Sequence, residues 1–191
     1  MKLLRTIRLD ASDAFVYARA ASPAEWAVPG GFMFWDHDVS VFTGRDRQAF
    51  RAGFLGLTSF GWSTLAVVVE VTADERNLAV DSLGQYLLAE HGAPNMAEAR
   101  AAAEEEIAFA EQLAQHPPQT LIALHRTVKD DGAVSEQFRT FHAADARQAG
   151  QMPCSAGAFS IVEDAATDSE PGDEIDLAAL AAVSATGASR P

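Results

Sequence analysis

The run Ser63 to Val71, Ser-Thr-Leu-Ala-Val-Val-Val-Glu-Val, constrains this chain more than any other stretch. Nearly unbroken apolar, β-branched residues behind Phe60-Gly61-Trp62 bury well only as a strand covered on both faces. The run therefore predicts the central strand of a sheet, with other strands paired beside it and helices laid across it. The class that follows is α+β: a mixed, mainly antiparallel sheet with an αα pair packed across it.

The flanking segments supply the rest of that layer. Leu3 to Leu9 alternates, with Arg5, Ile7 and Leu9 on one face and Leu4, Thr6 and Arg8 on the other, which suits a half-buried strand away from the sheet centre. Asp10 to Asp13 supplies a turn, and Phe15-Val16-Tyr17 begins a second short strand. Ser22 to Gly31 alternates breakers with anchors and reads as an irregular crossover with Trp26 pinned into the core. Phe32-Met33-Phe34-Trp35 follows as a third strand, stopped by Asp36-His37-Asp38; four large side chains in succession imply burial on both sides or, as the alternative, one aromatic face used for binding.

Helical spacing places Phe50 and Phe54 on one face of a helix over Thr43 to Phe54. Thr72 with Glu75 three residues on has the form of a capping box, opening a helix to about His91 with Gly92 as its stop. Asn95 and Glu98 open a second helix to about Gln115, whose seam of Met96, Ala99, Ala103, Ile107, Ala110 and Ala114 is mostly alanine. Small side chains let it lie close against its neighbour, and Pro117-Pro118 ends it. Gln119 to Thr127 and Ala133 to Phe141 form a hairpin through Lys129-Asp130-Asp131-Gly132.

These elements make residues 1–142 a single α+β domain. Residues 143–191 read as an acidic, largely flexible tail, interrupted by a possible docking strand at Ala158 to Val162 and a short helix at Ile175 to Val183. The charge divides accordingly. The whole chain carries 27 acidic and 14 basic groups, a formal charge of -13, and the tail holds 8 of the acids and 2 of the bases. Such a surface repels phosphate backbones and anionic headgroups, which argues against nucleic acid and membrane as partners. The single Cys154 excludes an intrachain disulfide framework, the N-terminus lacks a long uncharged signal region, and no apolar run has the length of a membrane span. A cytoplasmic location is the expectation.

Site chemistry is sparse. Arg5, Arg8, Arg126 and Arg139 all fall on predicted strands, and gathered on one face they could clamp a carboxylate or phosphate through the guanidinium fork. His125 is the best single group for proton transfer near neutral pH, but it has no evident partner. Trp35-Asp36-His37-Asp38 has two carboxylates around an imidazole, yet neighbouring strand residues point apart, so these read as polar turn residues. Glu104-Glu105-Glu106 reads as a solvated helix face, because no Glu-x-x-His unit lies opposite to complete a carboxylate-bridged metal pair. Cys154 lacks a basic neighbour to activate it. The glycines match neither a Walker loop nor a dinucleotide fingerprint, so no cofactor is expected.

The segments Lys2 to Asp10, Gly53-Phe54-Leu55-Gly56, Phe60 to Thr64, Ala101 to Phe109 and His125-Arg126-Thr127 resemble a small uncharacterised family of bacterial proteins over about residues 1–142. The resemblance implies no activity and no catalytic residue. Two function classes stand. One is a noncatalytic accessory or protein-interaction domain, compatible with self-association, with a protein partner or a second copy engaged through Trp26, Trp35, Trp62 or the tail residues Phe159, Ile161, Leu177 and Leu180. The other is a small-molecule protein or enzyme that binds an anion in a cleft built from Arg8, His125 and Arg139.

Overall fold

A computed structural model describes residues 1–143 and 159–161 apart from Asp10, Asp130 and Asp131, with the side chains of 142, 143 and 159–161 outside the description. The valine-rich run is indeed central. Strand β1 (Lys2–Ile7) pairs antiparallel with β2 (Trp26–Val28), which pairs with β3 (Phe54–Gly56), which pairs with the short β4 (Trp62–Ser63). Strand β5 (Leu65–Glu70) lies between β1 and β6 (Leu121–Val128). Strands β7 (Val134–Ala143) and β8 (Phe159–Ile161) complete an eight-stranded sheet in the order β4-β3-β2-β1-β5-β6-β7-β8, and every neighbouring pair in it is antiparallel. Ala66, Val67 and Val68 are all buried, as a strand covered on both faces requires.

The run does not stay one straight strand. It bends at Thr64, so that Trp62–Ser63 pairs with β3 while Leu65–Glu70 pairs with β1. The pairings β1 to β2, β2 to β3 and β3 to β4 therefore return through Thr64 to β1 and close a small ring. The bend is fixed by a buried carboxylate: Thr64 Oγ1 donates to Asp13 Oδ1 at 2.7 Å, and the Tyr17 hydroxyl lies 3.0 Å from Thr64 Oγ1. Burial of that phenol pushes the Tyr17 pKa up to about 12.

The helices follow their caps. Helix α1 (Ser12–Val16) precedes α2 (Gly44–Ala52), while α3 (Ala73–Glu90) and α4 (Met96–Leu113) form the antiparallel pair. Thr72 and Glu75 exchange both bonds of a capping box, and Asn95 accepts from the Glu98 amide at 3.0 Å. The alanine seam packs as its small side chains allow. Ala99, Ala103 and Ala110 are buried together with Val80, Leu83 and Leu87, and Gly84 faces the α4 backbone near Arg100. Met96, at the start of the seam, is exposed instead. No helix among the described residues is long and apolar enough to cross a membrane.

Five local expectations are corrected, the first at Phe54: the helix stops at Ala52 and Phe54 pairs with Ser63 as the start of β3 rather than sharing a helix face with Phe50. The segment expected as a second strand is α1: a helical turn carries Asp13 into the Ser63 and Thr64 cluster, and Phe15 at 73 % exposed gains nothing from a strand. The segment expected as a third strand is a 3₁₀ turn, Gly31–Phe34, started by Gly30 at φ +71°, which only glycine adopts without strain. The turn buries Phe32 and leaves Trp35 83 % exposed, so burial on both sides does not hold there. Strand β1 sits inside the sheet rather than away from its centre, because Arg5 and Arg8 find carbonyl partners: Nη1 of Arg5 donates to Ala24 and Nη2 of Arg8 to Ala21, at 2.9 and 2.7 Å. Trp26 belongs to β2 and is half-buried under the Arg5 guanidinium, 3.7 Å from its ring centre. The short helix, Cys154, Leu177 and Leu180 lie outside the described residues, as do the side chains of Phe159 and Ile161.

The ring closes where Gly61 passes the backbone of Ala20 and Ala21; a Cβ there would sit 2.6 to 2.7 Å from those atoms. Gly61→Ala is expected to destabilise the fold by about 1–3 kcal/mol, as overpacking against unyielding backbone does. Urea unfolding is the measurement, with the midpoint falling at an unchanged slope.

Candidate functional site

Beyond Ala123, strand β6 loses its β5 partner, because register pairs only Leu121 to Ala123 with Leu65 to Val67 before the central strand turns toward β3. The C-terminal end of α2 fills the gap. A helix end presents carbonyls without intrahelical partners, and here a single side chain satisfies them. Arg126, on the β6 face shared with Ile122 and Leu124, is 1 % exposed; its Nη1 donates to the carbonyls of Phe50 and Gly53 at 3.0 and 3.1 Å. Nη2 donates to the Pro29 carbonyl, and Nε donates to Glu136 Oε1 at 2.5 Å across the hairpin, where residues 126 and 136 are paired. The Phe34 ring lies beneath the guanidinium, 5.7 Å away. Burial pulls the Arg126 pKa down while Glu136 and Glu106 pull it up, and with four paired donors guanidinium remains the charged form.

Beside this clamp opens a cavity of about 450 Å³, within the size range of small-molecule sites. Its walls come from the 3₁₀ turn (Phe32, Phe34, Trp35 and the following His37), α2 (Phe50), α4 (Glu106, Phe109) and the hairpin (Arg126, Val134, Glu136). Glu106 Oε1 accepts the Gly30 amide at 2.9 Å, and burial raises the carboxyl pKa, with neighbouring Glu136 adding to the rise. The Gly30 amide and the Pro29 carbonyl belong to one peptide group. That group is thus held between Arg126 at its oxygen and Glu106 at its hydrogen.

The arginines and histidine expected as one cleft are distributed over the molecule. His125 and Arg139 share the sheet face opposite Arg126, where burial and the charges of Arg51 and Arg139 lower the His125 pKa. Arg5 and Arg8 tie the Ala21 to Ala24 loop to β1, and Arg5 also approaches Glu75 at 3.5 Å. Arg126 alone reaches the cavity. Of the tryptophans, Trp35 lines its mouth, Trp62 is buried under Phe34 in a stack at 5.2 Å, and Trp26 is on the β1–β2 face.

Glu106 is the residue that a solvated-face reading misplaces. Glu104 does serve outside, bonding Arg76 at 2.7 Å, but Glu106 turns inward. Its spacing was informative: 99, 103, 106 and 110 form one helical stripe, so a glutamate at 106 sits on the alanine seam. Gly30, Glu136 and Phe109 carry no local signal, because long-range pairing alone brings them together. Among the described residues no group of three or more His, Cys, Asp or Glu side chains could hold a metal ion.

Two experiments test this arrangement. Arg126→Met strands Glu136 and three buried carbonyls and is expected to cost about 3–5 kcal/mol; adding Glu136→Gln should recover part of it, since the unpaired charge goes too. A double-mutant cycle by denaturant titration measures the recovery. The raised Glu106 pKa means that the fold binds this proton more tightly than the unfolded chain does. Its stabilisation is complete below the ordinary carboxylate pKa and is lost as pH rises through the raised one. Glu106→Gln should therefore melt above the parent at about pH 7.5, with the gap closing toward about pH 4.

Neither the curated proteins nor the solved structures include a match to this chain. The segments that resemble an uncharacterised family do belong to one: residues 1–153 match a family model described as a family of unknown function (DUF6505), and the chain is a member of that family.

Proposed function

We propose that this protein is a noncatalytic binding module and that its recognition site is the aromatic-walled cavity beside Arg126. The observation that carries this reading is the coincidence, in one half-open cavity of about 450 Å³, of aromatic walls with two carboxylates. Ligand sites are mostly apolar with a few placed polar groups, and this composition fits. The polar groups suit orientation rather than attack. Arg126 spends its donors on carbonyls and Glu136, and Glu106 holds a backbone amide. The same allocation weighs against an anion as the ligand, since a phosphate or carboxylate would have to displace bonds that hold α2 to the sheet.

A second reading has its own observation. Trp35 stands 83 % exposed at the mouth, and an exposed tryptophan beside a cavity suits a partner protein that inserts an apolar side chain. Both readings use the same opening, so one variant separates them from a purely structural cavity. Val134 is exposed on the hairpin and lines the cavity, which makes Val134→Trp a plug with little folding consequence. Ligand-observed NMR with a fragment library should find compounds that bind the parent and not the plugged variant. Retention of every hit by Val134→Trp would remove the cavity from consideration, whereas a stoichiometric protein co-purifying with the parent and lost on Trp35→Ala would favour the partner reading.

A further inference from the structure

Resting on the reading of this cavity as a ligand site, its charge balance specifies the class of ligand. The inner wall carries two carboxylates and one guanidinium, and the His37 imidazole also lines the cavity. The guanidinium is matched to Glu136 and to three carbonyls, so it neutralises one acid and offers little to an incoming anion. Glu106 is left over. One of its oxygens takes the Gly30 amide at 2.9 Å; the other is bonded to no side chain or backbone group among the described residues and, since none of their buried side-chain oxygens lacks a partner, it is open to water in the cavity. A half-satisfied carboxylate in a partly desolvated wall favours a donor, and a charged donor most of all.

We propose that the cavity binds a small organic ammonium ion, a primary or secondary amine carried on an apolar group, with the ammonium on Glu106 and the hydrocarbon against Phe109 and Trp35. Three further features agree. Aromatic walls attract cations through the ring quadrupole as well as by apolar contact. The chain's formal charge of -13 draws cations toward the surface and keeps anions away. The Gly30 amide fixes the Glu106 carboxyl in place before the ligand arrives, so little ordering remains to be done on binding. Burial raises the Glu106 pKa and an arriving ammonium favours the ionised form, so binding lowers that pKa and releases a proton wherever the free carboxyl holds one.

Isothermal titration of the full chain with phenethylamine, 2-phenylethanol and phenylacetate tests this, because the three probes share a ring and differ in the charge they carry. Phenethylamine should bind at least about tenfold more tightly than the alcohol, as a charge-assisted bond to a half-buried carboxylate requires, and phenylacetate should be weakest. Phenethylamine affinity should rise with pH through the Glu106 titration, with proton release seen as a dependence of the heat on buffer ionisation enthalpy. Glu106→Gln should remove the preference, the pH dependence and the proton release together. Glu105→Gln, the same charge change on an exposed neighbour, should leave all three unchanged. Equal binding of amine and alcohol that is abolished by Val134→Trp would overturn the ammonium assignment and keep the ligand site. Binding of none of the three, or binding indifferent to Val134→Trp, would overturn both.

Discussion

The buried guanidinium of Arg126 is the interaction on which the rest of the arrangement depends. Taking an arginine out of water is expensive, and one ion pair does not repay it unless the remaining donors also find partners. Here they do, and each partner lies on a different part of the chain: the end of α2, the Pro29 loop, and the opposite arm of the hairpin. The gap that Arg126 occupies exists because the central strand bends at Thr64 to close the β1 to β4 ring, leaving the outer half of β6 without a neighbour. A valine or leucine at 126 would fill some of that space but would leave the carbonyls of Phe50, Gly53 and Pro29 unpaired in it.

The same bend explains why the elements were unequally legible. Where burial is local and periodic, sequence was sufficient. The valine-rich run, both caps of the αα pair, the alanine seam and the existence of the hairpin all follow from patterns that a single segment carries. It fell short where a side chain answers to something distant. Phe15 to Tyr17 has strand-like composition, yet Asp13 must reach Thr64, and the helical turn that achieves this overrides propensity. Phe32 to Trp35 has four large residues in a row, which suggests burial on two faces. Gly30 in the left-handed region starts a 3₁₀ turn instead and turns Trp35 outward.

The site residues divide in the same way. Arg126 was named from sequence as an anion ligand and is in the cavity wall, but its chemistry is reversed by partners over seventy residues away, at Phe50 and Gly53. His125, its neighbour in sequence, points to the other face by the alternation of the strand, so adjacency in the chain separates the two in space. Glu106 was legible in principle, because a glutamate three residues after Ala103 and four before Ala110 cannot leave the seam without breaking the helix period. A run of three glutamates has the composition of a solvated face, and that composition masks the one member that the helix period turns inward.

The peptide group linking Pro29 to Gly30 gives the site its internal coupling. Its oxygen accepts from Arg126 and its hydrogen is donated to Glu106, so the two ionisable groups polarise one dipole in the same sense. Hydrogen bonds in series strengthen each other in a low-dielectric setting, and this series runs from the hairpin through the loop to α4. Ionising Glu106 pulls on the amide hydrogen, makes the Pro29 oxygen a better acceptor and tightens the bond from Arg126. Protonating it relaxes both. The loop that starts the 3₁₀ turn, and with it Phe34 and Trp35, is thereby tied to the charge state of one carboxyl on the opposite wall. A cavity built in this way would meet the proposed positive ligand already oriented, because the field that would hold the ligand is the same field that holds the loop.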